Sequence, residues 1–276
     1  MRLAISNIAW DVPEDEAVAN LLASYQIDAI DIAPGKYFPV PAAASKEDIL
    51  AVRDWWAAHG ISLTGMQALL FGTTGLNVFG DAAAQDKMLA HLDAVCRIGG
   101  LLGSTRLVFG SPRNRDRSGL TDVQALDIAT PFFRKLGDVA HGHGVTVCLE
   151  PNPPCYGANF MTTSGETARV VERVDHPAIR MQLDTGAVCI NAEDMVMVVS
   201  TYAPLIGHVH ISEPDLIPIG DGTTDHTAIY KALKAHLPDA LLSLEMLATK
   251  DEPHLVSIER ALAHAVACYR PAQDAA

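Results

Sequence analysis

Four residues far apart in the chain share one local setting. Glu150 ends the run Val147-Cys148-Leu149-Glu150, Asp184 ends Met181-Gln182-Leu183-Asp184, His210 ends His208-Val209-His210, and Glu245 ends Leu242-Ser243-Leu244-Glu245. A carboxylate or imidazole at the end of an apolar strand is costly to bury unless it is paired, protonated or bound to a cation. Three carboxylates and an imidazole brought to one point would repel each other without a divalent ion among them. An oxygen-rich set with one histidine suits Mn²⁺, Mg²⁺ or Co²⁺ better than a thiolate-type Zn²⁺ site. Taken singly, such a Glu is an ordinary hydrogen-bond acceptor and such a His an ordinary core residue. The four together call for one metal ion.

These residues need elements that bring them together. Their separations of 34, 26 and 35 positions are each about the length of one strand-plus-helix unit. Short apolar runs at residues 3–6, 29–32, 62–66, 106–109, 146–150, 180–184, 206–211 and 241–246 alternate with segments of helical periodicity. The latter lie at 14–25, 46–59, 82–99, 122–141, 166–174, 192–201, 227–236 and 254–269. This alternation builds a parallel sheet. Helix starts are marked by Pro13, by Ser45 with Asp48 three residues on, and by Ser164 before Glu166; Gly60 and Gly144 mark two ends. Eight units in 276 residues, with no linker between halves, predict a single (β/α)8 TIM barrel, one domain over residues 1–276. The four candidate ligands then sit on neighbouring strands at the C-terminal rim, where the active sites of such barrels lie.

Composition narrows the partners. Hydrophobic residues make up 49% of the chain and charged ones 19%, enough to bury a large core. Twenty basic against 33 acidic residues give a net charge of −13, which disfavours nucleic acid. No apolar stretch approaches the roughly 20 residues that span a bilayer, and the N-terminal apolar run is too short for a signal segment. Five cysteines without a CxxC pair suit a reducing, cytoplasmic setting.

Leu149-Glu150-Pro151-Asn152, Leu183-Asp184-Thr185-Gly186, His208-Val209-His210-Ile211 and Leu244-Glu245 resemble the xylose isomerase-like barrels, in particular the sugar phosphate isomerase/epimerase group with D-tagatose 3-epimerase. The resemblance implies a Mn²⁺-type ion, with Mg²⁺, Co²⁺ and Zn²⁺ as alternatives, held by Glu150, Asp184, His210 and Glu245. It also implies that Glu150 and Glu245 are the catalytic acid/base pair on a carbohydrate or polyol substrate, and that the chain forms a homodimer. A metal that chelates a ketone and its neighbouring hydroxyl stabilises an enediolate. Two glutamates on opposite faces then give epimerisation, or dehydration if one protonates a leaving hydroxyl. Two departures bear on the choice: Asp184-Thr185-Gly186 is followed by Ala187 where many relatives have His, and Leu216 stands where the ketose epimerases have Arg. The leading expectation is therefore an isomerase or epimerase. The alternative is a lyase like the inosose or dehydroshikimate dehydratases. An endonuclease IV-type nuclease is disfavoured, because that family uses three metals and further histidines, including the one replaced by Ala187. A metal-binding subunit of a larger complex is a third class.

Other rim residues complete the expected site. The loop 110–117 carries Arg113, Arg115 and Arg117; a guanidinium fork suits an anionic or polyhydroxylated substrate, and Arg113, nearest the strand, is the preferred contact. Asn152, Asn159 and Glu213 are further substrate-binding candidates. His208 and Gln182, two positions before His210 and Asp184, are expected one layer deeper, orienting the ligands. Trp10, Tyr37, Phe38 and Phe71 are candidates for an apolar wall, and the loop 214–225, with His226 following it, for a lid.

Overall fold

The computed structural model describes residues 1–271. Eight parallel strands form a closed ring in chain order: β1 (Arg2–Ser6), β2 (Ala29–Ile32), β3 (Ser62–Met66), β4 (Arg106–Phe109), β5 (Thr146–Leu149), β6 (Ile179–Asp184), β7 (Ile206–Ser212) and β8 (Leu241–Glu245). The ring closes where Arg2 to Ile5 run beside Leu241 to Leu244. The helices are α1 (Asp15–Ser24), α2 (Lys46–Ala58), α3 (Ala82–Leu102), α4 (Asp122–Gly142), α5 (Ser164–Val174), α6 (Thr185–Ile190), α7 (Met195–Tyr202), α8 (His226–His236) and α9 (His254–Tyr269). The structure is a (β/α)8 TIM barrel.

Alternation along each strand sorts its residues into two sets. Leu3, Ile5, Ile30, Leu107, Leu149, Leu183, Val209 and Leu244 are buried and face the helices. The residues between them face the interior of the ring, and several of these are polar: Asp31, Gln182, His208 and Ser243 are all buried. The register sets the height of the rim, with Asp184 beside His210 and Ser212 beside Glu245.

The capping signals act largely as the residues predict. Ser45 Oγ accepts the Asp48 N–H at 3.0 Å, and Gly60 takes a left-handed φ of 74° just beyond α2. For α5 the cap is Thr163, one residue before the expected Ser164, and it accepts the Glu166 N–H at 3.1 Å. One helix escaped the periodicity. The six residues of α6 are too few to show a repeat, and the helix begins because Asp184 itself caps it, accepting the Ala187 N–H at 2.6 Å. The segment 192–201 accordingly begins its helix only at Met195. Among the described residues no helix is long and apolar enough to cross a membrane.

Candidate metal centre and active site

The ends of β5 to β8 bring Glu150, Asp184, His210 and Glu245 to one point, all buried, with one ligand atom from each lying within 4.8 Å of the others. His210 Nδ1 is 3.1 Å from Glu245 Oε2 and 3.6 Å from Glu150 Oε1. Both nitrogens of His210 and Glu150 Oε1 are buried without a hydrogen-bond partner. Buried polar atoms are rarely left so; His210 Nδ1 and Glu150 Oε1 face the shared centre, while His210 Nε2 faces Asp31. Burial, together with the Glu245 and Glu150 charges, pushes the Asp184 carboxyl well above its usual range. Burial also opposes the charged forms of His210 and Glu245, but their mutual attraction prevails: the imidazole is raised and the Glu245 carboxyl lowered. A divalent cation would satisfy His210 Nδ1 and Glu150 Oε1 and relieve the repulsion at Asp184. The residues fit such an ion.

Each side chain in the cluster is also held from behind. Asn152 Nδ2 donates to Glu150 Oε2 at 3.1 Å, and Gln67 Nε2 donates to Glu245 Oε1 at 2.6 Å. Asp184 Oδ1 accepts from the Ser212 hydroxyl at 3.0 Å as well as from the Ala187 N–H. His210 Nε2 faces Asp31 Oδ2 at 3.8 Å, and the same Asp31 oxygen receives His208 Nε2 at 2.7 Å. Strands β2 and β7 are not neighbours in the ring, so these contacts cross its interior. Burial alone would raise the Asp31 carboxyl, yet the two imidazoles hold it far below its usual range. Outer partners of this kind fix the orientation of metal-ligating groups.

Space for these partners comes from two glycines. A Cβ on Gly65 would lie 2.5 Å from Asp31 Oδ1, and one on Gly110 would lie 2.0 Å from Glu150 Oε2. A side chain at either position would displace the carboxylate beside it.

His208 sits one layer below His210, as the strand period predicts. Gln182 lies in the same layer, paired in register with His208, but its amide makes no hydrogen bond to the ligands and both of its polar atoms are unpartnered. The arginine preference is corrected. Arg113 is exposed and does not line the cavity, because the loop turns as a short 3₁₀ helix, Pro112–Arg115, that points Arg115 inward instead. Arg115 is 0% exposed; it donates to the Glu150 carbonyl at 2.6 Å and to Asn152 Oδ1, and burial pushes it down to about 10. Asn159 is also relocated. Its side chain bonds to Asp116 at 2.6 Å and to the Arg117 N–H at 3.0 Å, tying the loop after β4 to the loop after β5. Asn152 does line the cavity.

Glu213 lines the cavity as well, but its side chain is only 1% exposed and turns away from it. His226 Nε2 meets it at 3.1 Å, the Gly220 and Thr224 N–H groups donate to it at 3.3 Å, and His226 Nδ1 meets the Tyr269 hydroxyl at 2.7 Å. This buried triad anchors the loop after β7 to α9. Of the four aromatics, Trp10 and Phe38 are core, the Tyr37 hydroxyl bonds Asp15, and Phe71 alone lines the cavity.

Asp31, Gln67, Ser212 and Arg115 were not predicted as partners of the ligands. Asp31 had a signal: an acidic residue inside the buried run Ala29-Ile30-Asp31-Ile32.

Comparison with known proteins places the fold. An L-ribulose 3-epimerase from Mesorhizobium japonicum is 30% identical over 107 residues, 39% of this chain and 36% of that relative. The solved structure of an L-ribulose 3-epimerase superposes with a TM-score of 0.82 at 19% identity, covering 99% of this chain and 96% of the other. A D-psicose 3-epimerase structure obtained in the presence of D-fructose gives 0.81 at 18% identity, covering 98% and 99%. The sequence profile of the xylose isomerase-like TIM barrels matches residues 19–271, nearly the whole described chain, and the protein belongs to that family.

Proposed function

We propose that this chain is a divalent-metal-dependent isomerase or epimerase of a keto sugar or related polyol, acting by proton transfer at the carbon next to a ketone. The observation that carries the reading is the convergence of Glu150, Asp184, His210 and Glu245 on one point, with the three carboxylates lining a cavity of about 640 Å³. The relatives named as 3-epimerases support it.

Glu150, Asp184, His210 and Glu245 would hold the ion, and Mn²⁺ suits the donor set, with Mg²⁺, Co²⁺ and Zn²⁺ as alternatives. When bound, the metal supplies a Lewis acid for neighbouring carbonyl and hydroxyl oxygens. The rest falls to the protein. Glu150 directly follows β5 and Glu245 ends β8, so a substrate lying between them would present one face to each. One carboxylate takes the proton from the carbon next to the ketone, and the other returns a proton from the opposite side. Asn152 and Gln67 keep the two carboxylates aimed. A lyase outcome is the second reading. It is favoured by Ala187 and Leu216 lining the cavity, where neither supplies a polar contact to a sugar hydroxyl.

The test is a panel of ketoses incubated with Mn²⁺-loaded protein in D₂O and followed by NMR. Deuterium entering the carbon beside the ketone, without loss of mass as water, supports the isomerase reading. A product lighter by one water selects the lyase. No exchange and no product across the panel removes the proposal.

A further inference from the structure

The walls of the cavity differ in chemistry from its floor. Its volume of about 640 Å³ lies in the range of sites that enclose drug-sized ligands, more than a free ketose needs. Gln67, Glu150, Asn152, Asp184 and Glu245 form the polar floor. Above them the lining includes Leu69, Leu70 and Phe71 from the loop after β3, Leu216 from the loop after β7, and Leu247 from the loop after β8. Phe71 is 88% exposed and Leu247 51%. Lys36 also lines the cavity, but its ammonium is engaged by the Asn7 and Trp10 carbonyls. Ser111 is a further polar residue there.

The apolar wall is held in place against backbone preference. Leu216 has a φ of 54° and Asp215 one of 60°, while Ala68, at the root of the Leu69 to Phe71 segment, has one of 55°. Residues bearing a Cβ avoid this left-handed region, and such conformations persist where neighbours enforce them, often at ligand sites. The enforcing bonds run along the wall. The Asp215 N–H donates to the Tyr156 hydroxyl at 2.8 Å, and the Leu247 N–H donates to the Leu216 carbonyl at 2.9 Å.

Hydroxyls pressed against this wall would lose water and gain no partner, whereas an apolar group would be favoured there. We propose that the substrate carries an aryl or alkyl substituent distal to its hydroxy-ketone, seated against Leu70, Phe71, Leu216 and Leu247. The proposal rests on the reading that the floor grips a hydroxy-ketone, but it concerns binding and can be tested apart from turnover.

Calorimetric titration with D-fructose and with 6-O-benzyl-D-fructose compares two ligands that share the reacting end. Wild-type protein should bind the benzyl ether roughly tenfold tighter or more. Leu216→Asn and Leu247→Ser, both at partly exposed loop positions, should each shrink that preference to about threefold or less. Equal affinities, no detectable binding of the benzyl ether, or a preference unchanged in both variants overturns the proposal. Sedimentation of the same proteins tests the other occupant. A wild-type dimer that dissociates in Phe71→Ser and Leu247→Ser would assign the wall to a second copy and also overturn it. Deuterium exchange in either ketose tests the reaction separately, so its failure leaves the binding preference standing.

Discussion

The Asp31 carboxylate receives His208 Nε2 at 2.7 Å from the far side of the barrel and, with the same oxygen, faces His210 Nε2 at 3.8 Å. An aspartate on β2 thus sets the ring orientation of a histidine on β7. Asp31→Asn keeps the shape and removes the charge, and should weaken Mn²⁺ binding roughly 10–100-fold. Gly65→Ala should do the same from a distance, because its Cβ would lie 2.5 Å from Asp31 Oδ1. Calorimetric Mn²⁺ titration checks both, and wild-type affinity in either variant would deny Asp31 this role.

The metal should also be visible as stability. Ligand that binds only the folded chain adds about 2.7 kcal/mol at a free concentration 100 times its Kd. Mn²⁺ should raise the thermal midpoint of the wild type and leave that of the Glu150→Gln, Glu245→Gln double variant unmoved. Elemental analysis of the two proteins should show about one ion per chain against much less, as expected for a site with four protein ligands. An equal shift in both would place the ion elsewhere.

Arg115 and Arg113 separate support from surface. Arg115→Met leaves the Glu150 carbonyl and Asn152 Oδ1 buried without their donor, and should lower unfolding free energy by about 2–4 kcal/mol. Arg113→Met, at an exposed position, should stay within about 0.5 kcal/mol. Urea unfolding curves measure both, and similar losses would contradict the assignment.

The loop anchor predicts a pH dependence. Burial lowers the His226 pKa below its model-compound value of 6.5, against the pull of Glu213. The unfolded chain therefore binds the proton more readily than the folded one, and stability should fall as pH drops below about 6.5 and level off above it. His226→Gln should flatten the part of that slope due to this group. Urea midpoints at pH 5.5 and 7.5 compare the two proteins, and parallel slopes would show that His226 does not contribute.

The clustering of Glu150, Asp184, His210 and Glu245 was legible in the sequence because an acidic or imidazole residue ending an apolar strand is anomalous, and the same anomaly recurs at one-unit spacing. Eight strands and most helices followed from periodicity. What stayed hidden depends on loop geometry and on contacts across the ring. Three arginines within five positions look alike until the turn at Pro112–Arg115 selects one. Glu213 looks like a rim residue until the loop after β7 folds back on it. Gln67 follows β3 directly and meets Glu245, 178 positions away, a pairing that no local pattern records.

That pairing divides labour between the two halves of the chain. All four candidate ligands are carried at the ends of β5 to β8, while Asp31 comes from β2, Gln67 from the end of β3 and Arg115 from the loop after β4. The C-terminal half holds the electron-pair donors with Asn152 and Ser212 beside them, and the N-terminal half supplies the partners that reach across or around the ring. A nascent chain therefore completes the proposed cation cage only when the ring joins, so metal uptake at that cage would report closure of the whole barrel rather than folding of the segment that bears the candidate ligands.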